Sequence, residues 1–565
     1  MTTIDTRAET VTDDTAADTT SDQPYEAGEI LLSSPVAHWL ISADHKRIGR
    51  TYLGAAFLTV LATIVINILL AVERTDGDSV VLDEGVLAQL LDGQRVGMVF
   101  GTLLPLAMAL CVIVVPLQLG ARALAFPRMA VVGFWIWFGG AIAFAIALAN
   151  NGGSLGGSED MVSLFFASIA MMAVGLTATA VAIATSVLTT RAPGITLRRT
   201  PFFSWSALIF SLGVIVVMPV LVGALTYLFI DHRYPRQGFG GNAGFYTWAG
   251  WILTQPATYL FAIPAIGVFA ELLPVVFGKR TPARGVMIAG LGLVGVAALS
   301  AVTQQNIQNL PWEGGGFNTD NLGDKFQDLA PYVIFNAIPL LGLLLVFVMG
   351  LVLAKPDEEE GFGFYLTSSF LFAFFGFGMI LVGMVGGIVY ALDDLGVQGT
   401  VFEEGVIVYV AYGGLLGLMG GIAHWVPKWR GGIFPVSVAV PLALLGVLAT
   451  VLASFPHYVA GLLDQEGGLF YSNSDLLIWN VLVLVGHGLM LAVVLIFITA
   501  LVMLVKADPD GNDSPDPWNA QTIEWSTTSP APDENFVDIP MVQSAEPMYD
   551  MKDERRSATG DGGDS

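Results

Sequence analysis

Long apolar runs, interrupted by short polar stretches, fill the chain from about residue 50 to residue 505. Twelve such runs fall at approximately 52–72, 96–119, 130–149, 161–188, 203–230, 245–275, 284–303, 331–354, 362–391, 399–424, 433–457 and 476–505. Each is long enough to cross, as a helix, a hydrocarbon core about 30 Å thick. The pattern predicts an all-α polytopic membrane protein, a twelve-helix bundle. Pro105, Pro116, Pro219, Pro256 and Pro264 fall within or near these spans. Prolines are tolerated there when neighbouring groups satisfy the freed backbone carbonyls. Pro256 and Pro264 read as kinks in one long helix.

Composition agrees. Only 13% of residues are charged and 54% are hydrophobic, against about 25% charged in ordinary soluble chains. Cys111 is the single cysteine, which excludes an intrachain disulfide and a thiolate cluster. The formal net charge of −24 is concentrated at the ends. Residues 1–29 hold eight acids against Arg7, and residues 508–565 hold fourteen acids against three bases. The chain therefore divides into an acidic tail (1–29), a membrane body (30–507) and a second acidic tail (508–565). Both tails are expected to be poorly ordered. Such acidity argues against nucleic-acid binding. The first 29 residues show neither a basic segment nor an apolar core of the signal-peptide kind.

Loop charge predicts the topology. Fifteen Lys and Arg residues, among them Lys46, Arg122, Arg198, Lys279 and Lys428, fall on one side of the twelve-span reading. The other side holds five: Arg74, Arg95, Arg233, Arg236 and Lys325. Positive residues favour the cytoplasmic face, so a multi-pass protein of the cell membrane with both termini inside is expected. Trp312 with Glu313, Asp320, Asp324 and Asp328 could form an acidic docking face on the outer side, or simply a solvated loop.

Several strings carry a family resemblance: "SADHKRIG" from Ser42, "VVPLQLGARALAFPR" from Val114, "RAPGITLRRTPFFSWS" from Arg191, "QPATYLFAIP" from Gln255 and "HWVPKWRG" from His424. The most specific is "DPWNAQTIEWSTTSPAPDENF", from Asp516 to Phe536. With them the body of the chain resembles subunit I of the haem-copper oxidases, the catalytic subunit of cytochrome c and quinol oxidases. The resemblance implies a twelve-helix core. It also implies six histidines holding two haems and a copper ion, imidazole being suited to both metals.

None of the six implied positions is a histidine here. The haem-ligand positions fall on Gln94, Gly405 and Ile407, and the copper positions on Gln255, Gln304 and Gln305. Tyr259 is retained at the place where the family's tyrosine can be joined to the copper histidine. The family's proton-passing Glu and entry Asp fall on Ala257 and Ala123, and its propionate-binding arginine pair near Gly467-Gly468. Lys355 stands only at the end of span eight.

The six histidines actually present are His38, His45, His232, His424, His457 and His487. They fall at different membrane depths, and only His487, with Met490 nearby, lies mid-span. It reads as a packing histidine rather than a lone haem ligand. The amides read as a hydrogen-bonded polar network, with a water-lined cavity or weak amide–metal binding as alternatives. Arg95 reads as a snorkelling interfacial residue or a partner of Asp92 and other outer-loop acids. Glu271 reads as a lone interfacial carboxylate, and Glu403 and Glu404 as acids near the outer end of span ten.

A redox-inactive, oxidase subunit I-like membrane protein is therefore expected, without haem, copper or other cofactor. Its expected role is a structural or assembly component of a respiratory electron-transfer complex, beside membrane subunits resembling oxidase subunits II and III. The alternatives are an active terminal oxidase subunit I, coupling oxygen reduction to proton transfer, and a small-solute or proton pathway.

Overall fold

The computed structural model describes residues 42–75, 84–234, 238–302, 330, 333–355, 367–391, 395–468, 474–506, 515–539 and 541–552. Gln304, Gln305, His38 and the acidic stretch from Trp312 to Asp328 lie outside the described residues. The architecture is all-α. Eleven helices are long and apolar enough to cross a membrane. They are α1 (His45–Thr75), α2 (Gly85–Gln118), α3 (Pro127–Ala149), α4 (Glu159–Thr189), α5 (Phe202–Arg233), α6 (Gly250–Phe277), α8 (Val333–Leu353), α9 (Ser369–Ala391), α10 (Phe402–Arg430), α11 (Val436–Leu462) and α12 (Leu477–Leu504). The expected seventh span is α7 (Arg284–Ser300), apolar but shorter. At 1.5 Å per residue it reaches about 25 Å, less than the roughly 30 Å of a hydrocarbon core. The twelve expected crossings are thus eleven full-length helices and one short one among the described residues.

Burial separates the centre from the rim. The apolar stretches of α2 and α10 are wholly buried and that of α6 is 94% buried, whereas the other eight keep only 33% to 50% inside. Helices buried all round need no amphipathic stripe, while the rim helices turn one apolar face outward to lipid. Small residues set the closest crossings. A Cβ at Gly376 of α9 would stand 2.5 Å from the Gly413 carbonyl of α10, and one at Gly133 of α3 would stand 2.6 Å from the Gly175 carbonyl of α4.

Prolines behave differently from place to place. Pro105 has no N–H to give the carbonyl four residues back, and that Gly101 carbonyl accepts from Thr59 Oγ1 at 2.6 Å. The adjoining segment Gly97–Leu103 is a π-helix. Pro256 corrects the sequence reading. It does not kink a continuous helix: the α-helical part of α6 begins at Ala257, after a 3₁₀ turn at Gly250–Leu253 and an extended Thr254. Pro256 has no N–H to donate into a helix running through it, and one element ends before it while the next starts after it. Pro264 does lie inside the helix.

Polar contacts tie each end of the bundle. At one end, Arg74 of α1 and Arg95 of α2 meet Glu404 and Glu403 of α10. At the other, the C-terminal segment folds back across the helix ends. Asn535 Nδ2 donates to the Ala121 carbonyl at 2.8 Å, and its Oδ1 accepts from Lys46 Nζ at 2.8 Å. Trp518 donates to the His424 carbonyl, and Lys428 Nζ sits 4.7 Å from the centre of the Trp525 ring. Residues 515–539 and 541–552 are therefore not the poorly ordered tail that their net charge suggests. Trp518, Ile523, Trp525 and Phe536 are buried anchors, and Lys46 and Lys428 supply cations that the acidic segment can meet.

Candidate functional site

The centre of the bundle brings some of the sequence-predicted positions together. Gln94 of α2 and Ile407 of α10 face a common cavity of only about 10 Å3, walled also by Arg95, Met98, Glu404 and Val408. That is room for about one water molecule. Gln255 and Tyr259 meet at Gly387 of α9, where a Cβ would stand 1.9 Å from Tyr259 Oη and 3.5 Å from Gln255 Cγ. Gly405 is closed off by a residue that the sequence reading does not single out. A Cβ there would lie 2.8 Å from Tyr458 Cδ1 and 2.9 Å from the Ser454 carbonyl. The Tyr458 ring of α11 also stacks on Phe402 at 4.3 Å between centroids, and its hydroxyl lies over Gly386. Gly405, a position where the resemblance implies a haem ligand, makes a notch, and an aromatic ring fills it. The Gly386-Gly387 pair is the signal in the sequence that could have pointed to this packing.

Among the described residues, Gln94 and Gln255 do not form the hydrogen-bonded network expected of the amides. Gln94 and Gln255 are buried, and the side-chain oxygen of each lacks a hydrogen-bond partner. The same holds for the nearby hydroxyls of Thr254 and Thr258. Buried polar atoms left so cost about 1–3 kcal/mol each.

The remaining histidines are occupied separately. His487 Nδ1 is 2.8 Å from Tyr412 Oη, which accepts from Asn67 Nδ2 at 3.3 Å, leaving the tyrosine proton for the imidazole. His45 contacts the Val112 carbonyl and the Asn535 side chain at the tail end. His424 packs there among Trp425, Trp518 and Trp525. His232 is exposed near the Glu159 carbonyl. Among the described residues, no three His, Cys, Asp or Glu side chains are grouped so as to hold a metal ion. An amide, an aliphatic side chain and a glycine notch filled by Tyr458 supply no axial imidazole. At the described positions where the resemblance implies ligands, Gln94, Gln255, Gly405 and Ile407, the residues present do not fit two haems and a copper ion.

Charges are placed by long-range pairing rather than by depth. Arg95 Nη1 donates to Glu403 Oε2 at 3.2 Å, so its acidic partner is on α10 and is not Asp92. Asp92 accepts instead from Ser154 N at 2.6 Å, Ser154 Oγ at 2.7 Å and Tyr246 Oη at 2.6 Å. Burial, and then the neighbouring Asp92 charge, raise the Tyr246 phenol well above its ordinary range, so it remains a donor. Glu271 is not an interfacial acid in water. It is buried, and its carboxylate accepts from Phe203 N at 2.9 Å, capping the start of α5.

Residues 47–303 match the family model described as "Cytochrome C and Quinol oxidase polypeptide I". The chain is 26% identical to cytochrome c oxidase subunit 1 of Bacillus subtilis over 542 residues, covering 90% of this chain and 82% of that protein. It is 26% identical to cytochrome bo(3) ubiquinol oxidase subunit 1 of Buchnera aphidicola subsp. Schizaphis graminum, covering 92% and 80%. It is 27% identical to the putative cytochrome c oxidase subunit 1-beta of Streptomyces avermitilis, covering 91% and 92%. The fold is that of an all-α, multi-pass membrane bundle. The similarity is thus to subunit 1 of the cytochrome c and quinol oxidases, and in these relatives it extends over 90% or more of this chain.

Proposed function

We propose that this chain is a redox-inactive relative of oxidase subunit I, acting as a structural or assembly component of a respiratory electron-transfer complex. The observation that carries the reading is the packing at the former ligand positions. Gln94 and Ile407 face a cavity of about 10 Å3, and Tyr458 lies against Gly405. Ala123 and Ala257 stand where the family would need carboxylates for proton entry and transfer. The chain's own residues support a scaffold: a buried ion pair holds α1 to α10 and a part-buried one holds α2 to α10, and the C-terminal segment straps the opposite helix ends. In this reading both termini are cytoplasmic, and the partners are membrane subunits resembling oxidase subunits II and III.

The test is purification of the whole chain in mild detergent, followed by a reduced-minus-oxidised spectrum, metal analysis and oxygen uptake with a reduced cytochrome or quinol donor. The expected result is no stoichiometric haem or copper and no oxygen consumption. One low-spin haem per chain, or oxygen uptake that survives removal of every histidine-complete relative from the same cell, overturns the reading. Co-purification with subunits II- and III-like proteins tests the assembly role, and its absence from native membranes counts against that role.

A further inference from the structure

A cavity of about 540 Å3 opens at the end of the bundle that carries Arg74 and Arg95. That volume lies within the range of small-molecule sites. Its polar wall includes Asp92 and Arg95 of α2, Tyr246 and Thr254 before the α-helical part of α6, Tyr390 of α9 and Glu403 of α10. Three formal charges therefore line it. Arg95 is already answered by Glu403. Asp92 is not answered: its three hydrogen bonds come from the neutral donors of Ser154 and Tyr246, and among the described residues no cation stands within ion-pair distance of it. The buried Thr254 hydroxyl lies in the same wall without a partner. Gly467-Gly468, where the resemblance implies cationic arginines, contribute only backbone to this cavity.

We propose that this cavity binds a small molecule bearing a protonated amine, with Asp92 facing the ammonium and Thr254 hydrogen-bonding an adjacent polar group. An anion would meet an uncompensated carboxylate, with the one guanidinium already engaged. A neutral polyol would leave Asp92 without a counter-charge in a partly desolvated site, where charge pairing is stronger than in water. An ammonium satisfies the wall, its N–H groups finding carboxylate and hydroxyl acceptors. The cavity lies at helix ends, so the ammonium can come from a free amine or from an aminolipid headgroup. The proposal does not depend on whether the chain handles electrons.

Calorimetric titration of the detergent-purified full chain with ethanolamine hydrochloride at neutral pH tests the site, with sodium acetate and erythritol as controls. Saturable binding is expected for ethanolamine alone. Asp92→Asn should weaken it about tenfold or more, as loss of a charged hydrogen bond predicts. Ala88→Trp, which projects an indole into the cavity and removes no side-chain hydrogen bond, should weaken it at least tenfold, and Thr254→Val should weaken it several-fold with the melting transition unchanged. If Asp92→Asn does not fold, Ala88→Trp decides. Absence of saturable ethanolamine binding, equal binding in Ala88→Trp, or equal binding of acetate overturns the proposal. Repeating the titration in nanodiscs separates the sources. Competition by phosphatidylethanolamine but not phosphatidylglycerol supports a headgroup, and unchanged affinity in both supports a free amine.

Discussion

Arg74 and Glu404 form a two-pronged ion pair: NH1 and NH2 of the guanidinium each donate to a different carboxylate oxygen at 2.8 Å. Side-chain exposures of 3% and 2% put both charges out of water. The neighbouring Glu403 accepts from Arg95 Nη1 at 3.2 Å in a part-buried pair, so two consecutive acids at the start of α10 grip α1 and α2. A fork of this kind fixes direction as well as distance.

Breaking that fork should destabilise the bundle strongly. Glu404→Gln or Arg74→Met leaves one buried charge uncompensated, at a cost of about 3–5 kcal/mol. The double variant Arg74→Met, Glu404→Met removes both charges and should recover most of the loss. Thermal unfolding of the four proteins in one detergent checks this. Additive losses in the double variant would show that the two side chains do not act as a pair.

Gly405 should resist any side chain. A Cβ would press on Tyr458 and the Ser454 carbonyl at 2.8–2.9 Å, and overpacking of this kind costs about 1–3 kcal/mol. Gly405→Ala should lower the melting temperature, and adding Tyr458→Ala should relieve the clash while creating a cavity. Gly405→His should not bring a haem spectrum, since Gln94 and Ile407 still offer no imidazole. Gln255→His should likewise not restore turnover. A Soret band appearing in either single histidine variant would contradict this.

The helices were legible in the sequence because a membrane span needs only length and apolarity, properties of one segment. Partners were not legible in the same way. Asp92 stands three residues from Arg95 in the sequence, whereas the partner of Arg95, Glu403, lies 308 positions further on. That Gln94, Gly405 and Ile407 are not histidines could be read directly, since it concerns residue type. The identity of the filler, Tyr458, could not, because it depends on how α9, α10 and α11 cross. Net charge misled at residues 515–552, where a few tryptophans and two lysines outweigh many acids.

Asn535 should be the clasp of the C-terminal segment. It is fully buried at a left-handed φ of 64°, a conformation that asparagine tolerates better than most residues. Its side chain serves Ala121, Lys46 and His45 together. Asn535→Ala loses these bonds and strains the backbone, so the segment should detach by about 2–4 kcal/mol of lost stability. Limited proteolysis should then cut within residues 515–552 at protease levels that leave the parent protein intact. Equal protection in the variant would assign the docking to the tryptophans instead.

Glu524 gives the same docking a pH dependence of definite sign. Burial pushes its carboxyl above the ordinary value of 4.5, and the hydrogen bonds from Trp425 and Gln118 only partly oppose the shift. Raised in the folded state, the group contributes stability that is fully present below the unfolded value and is lost as pH rises through the folded value. Glu546, which accepts from Thr281 N, is raised by burial and acts in the same direction. Docking of the C-terminal segment should therefore weaken as pH rises from the usual glutamate range upward. Glu524→Gln keeps an acceptor oxygen for Trp425 but removes the charge, so it should flatten this dependence and protect the segment best at the alkaline end. Proteolysis rates across a pH series, corrected for the protease's own pH profile, measure it. A parent protein whose segment is held more tightly as pH rises would reverse the sign and refute the assignment to Glu524.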